Sequence, residues 1–340
     1  MRFVAAALVL CTHATFYYHE RIDANISVWH FGEVGVPIFF VISGIVMVLS
    51  THESTADVQG AKAFILRRII RVVPLYWIAT AAKVAVTLFA PDVVNHNHFR
   101  VDYAIKSFLF IPYFNEQGAV VPLHGVGWTL LHEMFFYCVF TAVLFCGKRP
   151  AAIASGLIIT LWLLGTQTSF DNPFWAVASS GANLNFVTGM LAGSALVLPL
   201  ERRRLRLAVG WCMAGAAAVL FVVIERTSIF QSLPFVVAFG STAVLFSALR
   251  LPNLASGVTR LGDSSYSLYL FHPFIAPAIL LAIARWAPPV SAPIHITVAI
   301  LITIFSAHLL HLWVEVPVVR MARSALLAQR SGRNLRSKVS

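Results

Sequence analysis

The chain has 340 residues, 59% of them hydrophobic and only 11% charged, with a formal charge of +11 at pH 7. Soluble domains average about 25% charged residues, so this composition excludes an ordinary soluble domain and points to a membrane protein. The positive excess does not point to nucleic acid, because the basic residues fall between apolar runs or in the C-terminal tail rather than in one patch.

A membrane span takes about twenty residues. On that measure helices are predicted near 2–19, 33–51, 69–90, 124–146, 151–168, 183–200, 207–225, 232–249, 265–285 and 293–316. The expected fold class is all-α, a polytopic integral membrane protein with about ten transmembrane helices. Apolar segments recur almost to the C-terminus, so no removable leader is expected. Cys11, Cys138, Cys146 and Cys212 lie in apolar segments without Cys-x-x-Cys spacing and read as packing residues.

With the N-terminus in the cytoplasm, the inner side holds Arg2, Lys62, Arg67, Arg68, Arg71, Lys148, Arg149, Arg202, Arg203, Arg204, Arg206, Arg250, Arg260 and six basic residues of the tail. The outer side keeps Arg21, Arg100, Lys106, Arg226 and Arg285, and Lys83 lies within the third helix. The positive-inside rule then places both termini in the cytoplasm.

Ionisable groups inside a membrane are costly and mark functional candidates. In the first helix, His13 follows Arg2 by eleven residues, roughly 16 Å along the axis and nearly on the same face. A neutral histidine there can accept a proton from a hydroxyl attacking an acyl carbonyl; a structural bond to a neighbouring backbone carbonyl is the alternative. The second helix carries Gly32, Gly35, Ser43 and Gly44, small residues that suit close packing, or a substrate-facing surface.

At the cytoplasmic entry of the third helix, Arg67, Arg68 and Arg71 precede Pro74-Leu-Tyr-Trp77. Arg68 and Arg71, at i and i+3, could clamp a phosphate-bearing donor with forked guanidinium groups, or could simply anchor the helix. The outer stretch 91–123 contains Phe108-Leu-Phe-Ile-Pro-Tyr113, too short to cross and too apolar to float free, so it is expected to pack on the outer surface or dip inward.

The fourth helix holds Trp128, His132, Glu133 and Tyr137. Glu133 lies roughly 13 Å deep and requires a partner. It could orient His13, bind an acceptor hydroxyl or pair with an arginine. Further on, Tyr266 to His272 runs into Pro273, which frees a backbone carbonyl for His272 or a substrate. His308, His311 and Glu315 have a spacing compatible with metal ligation, but no second cluster completes a site and no metal is expected. The domain organisation is a membrane-embedded unit over 1–317 and a basic cytoplasmic tail over 318–340 that lies on anionic headgroups.

Taken together, these residues resemble the acyltransferase 3 family of multi-spanning membrane O-acyltransferases. The resemblance covers nearly all of 1–317. It rests on Arg2 with His13, the run Gly35 to Gly44, Arg68-Ile-Ile-Arg71 before Pro74-Leu-Tyr-Trp77, the segment Trp128 to Tyr137, Tyr266 to His272, and Glu315-Val-Pro317. Members carry several residues before the arginine, where this chain begins Met1-Arg2. Some also carry a fused outer hydrolase-like domain; here transfer is expected to be completed within the membrane domain or by a separate partner.

The resemblance implies transfer of a small acyl group, acetyl foremost, from acyl-CoA on the cytoplasmic side to a hydroxyl of a saccharide, glycolipid or small-metabolite acceptor. His13 is then the catalytic base or acyl carrier, with Arg2 and Glu133 beside it. Arg67, Arg68 and Arg71 bind the donor phosphates, and Trp128, Tyr137, His272 and Ser43 contact substrate. Membrane lipids are expected partners, nucleic acid is not, and a homo-oligomer is compatible with the sequence. The expected location is the bacterial inner membrane. The rival reading is a secondary transporter that uses His13, Glu133 and His272 as a relay.

Overall fold

A computed structural model describes residues 1–52, 57–90, 99–145, 149–168, 171–224, 262–286 and 291–336, with isolated positions between 237 and 244. Apart from those isolated positions, the expected span near 232–249 lies outside the described residues, as do Lys148, Arg226, Arg250 and Arg260. Among the described residues the protein is all-helical and has no strand. Twelve helices are described: α1 (Arg2–Arg21), α2 (Gly35–Thr51), α3 (Val58–Phe89), α4 (Val101–Phe108), α5 (Trp128–Phe145), α6 (Pro150–Gln167), α7 (Pro173–Ala178), α8 (Leu184–Leu196), α9 (Arg203–Ile224), α10 (Ser265–Trp286), α11 (Ala292–Leu310) and α12 (Val316–Arg336).

Six segments among the described residues are long and apolar enough to cross a membrane: His30–Thr51, Val58–Phe89, Gly125–Phe145, Pro150–Gln167, Ser265–Trp286 and Ala292–Leu326. Two expected spans fall outside this set for visible reasons. Helix α1 carries Arg2, His13, His19 and Glu20, and α8 has only 13 residues.

Two boundaries differ from the sequence reading. Helix α3 begins at Val58 rather than near residue 69, because Asp57 caps it by accepting from the Gly60 amide at 2.7 Å and because Ala61 and Phe64 bury an inward face ahead of the span. The last span does not stop near 316. It passes through a π-helical turn at His311–Glu315 into α12, so helix runs unbroken across the expected boundary at 317/318.

Paired contacts give the helix directions. His13 of α1 meets His272 of α10, and Tyr18 clusters with Leu280, so α1 and α10 run parallel. Val41 and Gly44 of α2 abut Gly189 of α8, and Ile45 and Val48 abut Gly193, so α2 and α8 are parallel. Phe40 meets Trp128 and Ser43 meets Glu133, which sets α5 alongside α2. Helix α3 opposes α5, since Phe64 faces Tyr137 and Phe140 while Tyr76 lies near Gly127. Helix α11 opposes α1, because His295 meets Tyr18 and Ala307 clusters with Ala6.

Inside a membrane, lipid tails are as apolar as the helices, so close packing rather than water release holds the bundle. The tightest seam is α2 against α8. A Cβ added at Gly44 would come within 2.4 Å of the Phe186 carbonyl oxygen, and one at Gly189 within 2.2 Å of the Val41 oxygen. Only glycine permits that approach. Beside the seam, Phe40, Phe136 and Phe186 form a ring cluster with centroids 4.6 and 4.2 Å apart, each pair contributing about 0.5–1.5 kcal/mol beyond area burial.

The apolar outer stretch packs onto α3 as expected. The Tyr76 ring packs tilted against that of Phe110, centroids 4.5 Å apart, and Trp77 Nε1 donates to the Phe108 carbonyl at 2.7 Å. Outside the membrane, Arg100 hydrogen-bonds Asp102 and holds its carboxyl below the usual carboxylate range, with Lys106 adding a second bond.

Candidate active site

Helices α1, α2, α3, α5 and α10 line an open cavity whose empty space, adjoining solvent included, is about 650 Å³. Its polar lining is Arg2, Ser43, Arg71, Thr129, Glu133, Tyr137, Ser265, Tyr266 and Tyr269, set among Val36, Phe39, Phe40, Val72 and Leu130. Arg2 and Arg71 therefore reach one space from two different helices.

Glu133 is held rather than free. Its Oε1 accepts from Ser43 Oγ at 2.7 Å and from Tyr137 Oη. Arg2 and Arg68 lie within electrostatic reach of it, and Arg2, Arg68 and Arg71 of one another. The carboxylate thus offsets part of three positive charges, and the site remains net cationic, fit for an anionic ligand.

The arginine triplet divides by position. Arg71 is exposed and lines the cavity. Arg68 is buried: its guanidinium lies over the rings of Phe64 at 5.5 Å and Tyr137 at 5.8 Å, and its Nη2 donates to Ser50 Oγ at 3.0 Å. Arg67 is exposed and not among the lining residues. Trp128 stands one layer back, edge-on to Phe40 at 6.5 Å and to His132 at 5.7 Å. His132 itself bonds Asn183 Oδ1 at 3.0 Å.

His13 lies beyond the cavity lining. Its Nδ1 donates to the Val9 carbonyl at 3.0 Å, so in the neutral ring Nδ1 carries the proton and Nε2 keeps its lone pair, the form a general base requires. Glu133 makes no hydrogen bond to it. Of the three partners that the sequence leaves open to Glu133, His13 is not the one it bonds: the ring facing His13 is that of His272, with centroids 4.9 Å apart. Glu133 sits at the Arg2 end of the first helix because α2 and α5 run side by side there and lock it to Ser43.

His272 is fully buried and donates Nδ1 to the Leu268 carbonyl at 3.2 Å. Beside that of Leu268, the Tyr269 carbonyl, which Pro273 leaves without its helical donor, also lies within reach of His272. Tyr269 links the two regions. It lines the cavity, its hydroxyl bonds Thr129 at 2.8 Å and the Val126 carbonyl at 2.9 Å, and its ring lies 6.1 Å from that of His272.

Tyr266, Tyr269 and Thr129 were not singled out by the sequence as site residues. A signal was present: 266, 269 and 272 recur at three-residue steps, which puts a polar stripe on one side of α10. His311 and Glu315 bond each other at 2.9 Å, and Ser267 Oγ donates to Glu315 at 2.6 Å, a buried polar knot that ties the start of α10 to the π-helical turn. Among the described residues no group of three or more metal-ligating side chains converges.

Comparison with known proteins gives this geometry its context. A family model described as "Acyltransferase domain" matches residues 1–312. The exopolysaccharide production protein ExoZ of Rhizobium meliloti is 33% identical over 310 residues, covering 86% of this chain and 91% of that protein. Nodulation protein 10 of Rhizobium leguminosarum bv. viciae is 26% identical, covering 97% and 94%. The peptidoglycan O-acetyltransferase OatA of Listeria monocytogenes is 23% identical, covering 80% of this chain and 48% of that protein. No solved structure matches the chain.

Proposed function

The chain belongs to the acyltransferase domain family, and from that premise we propose that it moves a small acyl group, acetyl foremost, from acyl-CoA to a hydroxyl of a saccharide. It is an acyltransferase of the non-aminoacyl kind and a multi-pass membrane protein. The transporter alternative is therefore set aside. The saccharide acceptor draws support from relatives named for exopolysaccharide production and peptidoglycan O-acetylation. By the same kinship, the bacterial inner membrane is the proposed location.

The observation that carries the donor assignment is the cationic cavity: Arg2 and Arg71 in its lining, Arg68 in reach, and a single carboxylate among them. Such a site suits the phosphates of CoA, with Arg71 as the forked contact and Arg68 bracing the wall behind Tyr137. From Arg2 to His13 is eleven residues of one helix, roughly 16 Å, a distance that an extended pantetheine arm spans. The thioester would then lie beside His13 while the phosphates stay at the mouth.

In the transfer step the acceptor hydroxyl gives its proton to His13 Nε2 as its oxygen attacks the thioester carbonyl carbon. The carbon–sulfur bond breaks, and the departing CoA sulfur takes the proton back from the imidazolium. No metal is needed for this balance. The surrounding helices exclude water, which protects the thioester from hydrolysis. Glu133, Ser43 and Tyr137 keep the arginines poised, and Tyr269 separates the phosphate end from the transfer end.

The test uses the purified full chain in lipid nanodiscs with labelled acetyl-CoA and candidate polysaccharide or lipid-linked saccharide acceptors. The expected result is CoA release with labelled ester in an acceptor. In His13→Ala, CoA binding should survive while turnover disappears. Undiminished turnover in that variant sinks the assignment.

A further inference from the structure

We propose that His272 is the proton-sharing partner of His13. When His13 Nε2 takes up a proton, that N–H bonds His272 Nε2, and the charge is carried by two imidazoles instead of one. This deepens the transfer mechanism above and rests on it for its catalytic consequence, but the shared proton itself is a property of the two rings.

The geometry sets both rings in the same state. His13 Nδ1 donates to the carbonyl of Val9, and His272 Nδ1 donates to the carbonyl of Leu268, each four residues back on its own helix. Both protons are thereby fixed on Nδ1, and both Nε2 atoms keep lone pairs. His272 Nε2 is buried and has no hydrogen-bond partner among the described residues. The ring centroids are 4.9 Å apart, so a turn of either imidazole brings a nitrogen of each within hydrogen-bond reach of the other. Two lone pairs cannot bond each other. One added proton satisfies both.

Among the described residues, the neighbours leave no other acceptor at this depth. Tyr17, on the same helix as His13, has Arg21 over its ring. Glu33 is bonded to His30 at 2.7 Å. Tyr269 is engaged with Thr129 and Val126, and His124 donates Nε2 to the Leu270 carbonyl at 3.0 Å. Helix α11 passes this level with Ala299, Ile300 and Thr303, none of them titratable. A lone imidazolium in such surroundings is costly, and a second ring with a free nitrogen lowers that cost. The proton balance is closed: it enters from the acceptor hydroxyl and leaves on the CoA thiol.

The experiment compares wild type, His272→Gln and His272→Leu as full-length protein in lipid bilayers. In acetyl-CoA turnover, His272→Leu is expected to lower kcat by about 100-fold, with KM for acetyl-CoA within about twofold. Its acidic limb in the kcat/KM profile should move to lower pH, since His13 must then hold the proton alone. His272→Gln keeps an acceptor oxygen and should recover about tenfold of the loss. Equal impairment of both variants with an unmoved pH profile would reduce His272 to a structural residue.

A second readout does not depend on turnover. With 15N-labelled histidine, acidification should shift the Nε2 signals of His13 and His272 together for uptake of one proton, assigned through His13→Ala and His272→Gln. Independent titration of the two rings overturns the proposal whatever the reaction is. Joint titration in a protein that turns over no acyl-CoA would uphold the pair and reject the reaction.

Discussion

The Arg2 end of the bundle and the His13 end handle polarity in opposite ways. At the first, charge meets charge: Glu133 stands among three arginines, with Ser43 and Tyr137 donating to one of its oxygens. At the second, two neutral rings are tethered by one nitrogen each, and His272 keeps its other nitrogen without a partner. Groups whose bonds are already made can hold a ligand at little cost. Groups whose bonds are unmade can take part in a reaction. The difference teaches that binding and chemistry are separable along a single helix.

The sharpest way to break that separation is His13→Ala. The expected outcome is a loss of kcat of about 10²–10⁴-fold with CoA affinity unchanged, read by turnover and by calorimetric titration with CoA. A parallel fall in affinity would merge the two ends. Next comes Glu133→Leu, which strands the Ser43 and Tyr137 hydroxyls and removes the carboxylate between the arginines. It should cost about 2–5 kcal/mol and lower the melting midpoint in detergent, while Glu133→Gln, which keeps an acceptor, should cost less.

Arg71→Ala tests the binding end alone. KM for acetyl-CoA should rise about 10- to 100-fold with kcat nearly unchanged, whereas Arg68→Ala should act mainly on stability by emptying its place against Phe64 and Tyr137. Gly189→Ala should cost about 1–3 kcal/mol in thermal stability by forcing α2 and α8 apart. The smallest effect belongs to Arg67→Ala: exposed and outside the cavity, it should leave KM within about twofold and stability within about 0.5 kcal/mol.

Hydropathy made most helices legible, because a span advertises itself by length alone. Helix α1 was legible too, expected near 2–19 and found at Arg2–Arg21, although Arg2, His13, His19 and Glu20 lower its hydropathy. Hydropathy placed the start of α3 too late, since basic side chains on an amphipathic turn look like a loop until the buried Phe64 and Ala61 are seen. Within the site, the shared stripe of Arg2 and His13 could be read from helical period, but the period gives depth and not the neighbour across the interface. The sequence therefore left His13, an acceptor hydroxyl and an arginine all open as partners of Glu133, and it took the packing of α5 on α2 to set the carboxylate near the arginines. Likewise Arg68 and Arg71, three residues apart, stand about 60° from one another around the axis. That is enough to send one into the wall and the other into the cavity.

The seam between α2 and α8 bears on which acyl groups can be used. Ser43 and Phe40 lie on a helix whose backbone rests directly on another backbone at Gly44 and Gly189, with no side chain between to be compressed or rotated away. That side of the cavity acts as a fixed gauge. A longer acyl chain can gain room only on the opposite side, where α1 and α10 meet through side chains. Swapping Leu268 or Leu10 for smaller residues is therefore the way to relax chain-length selectivity.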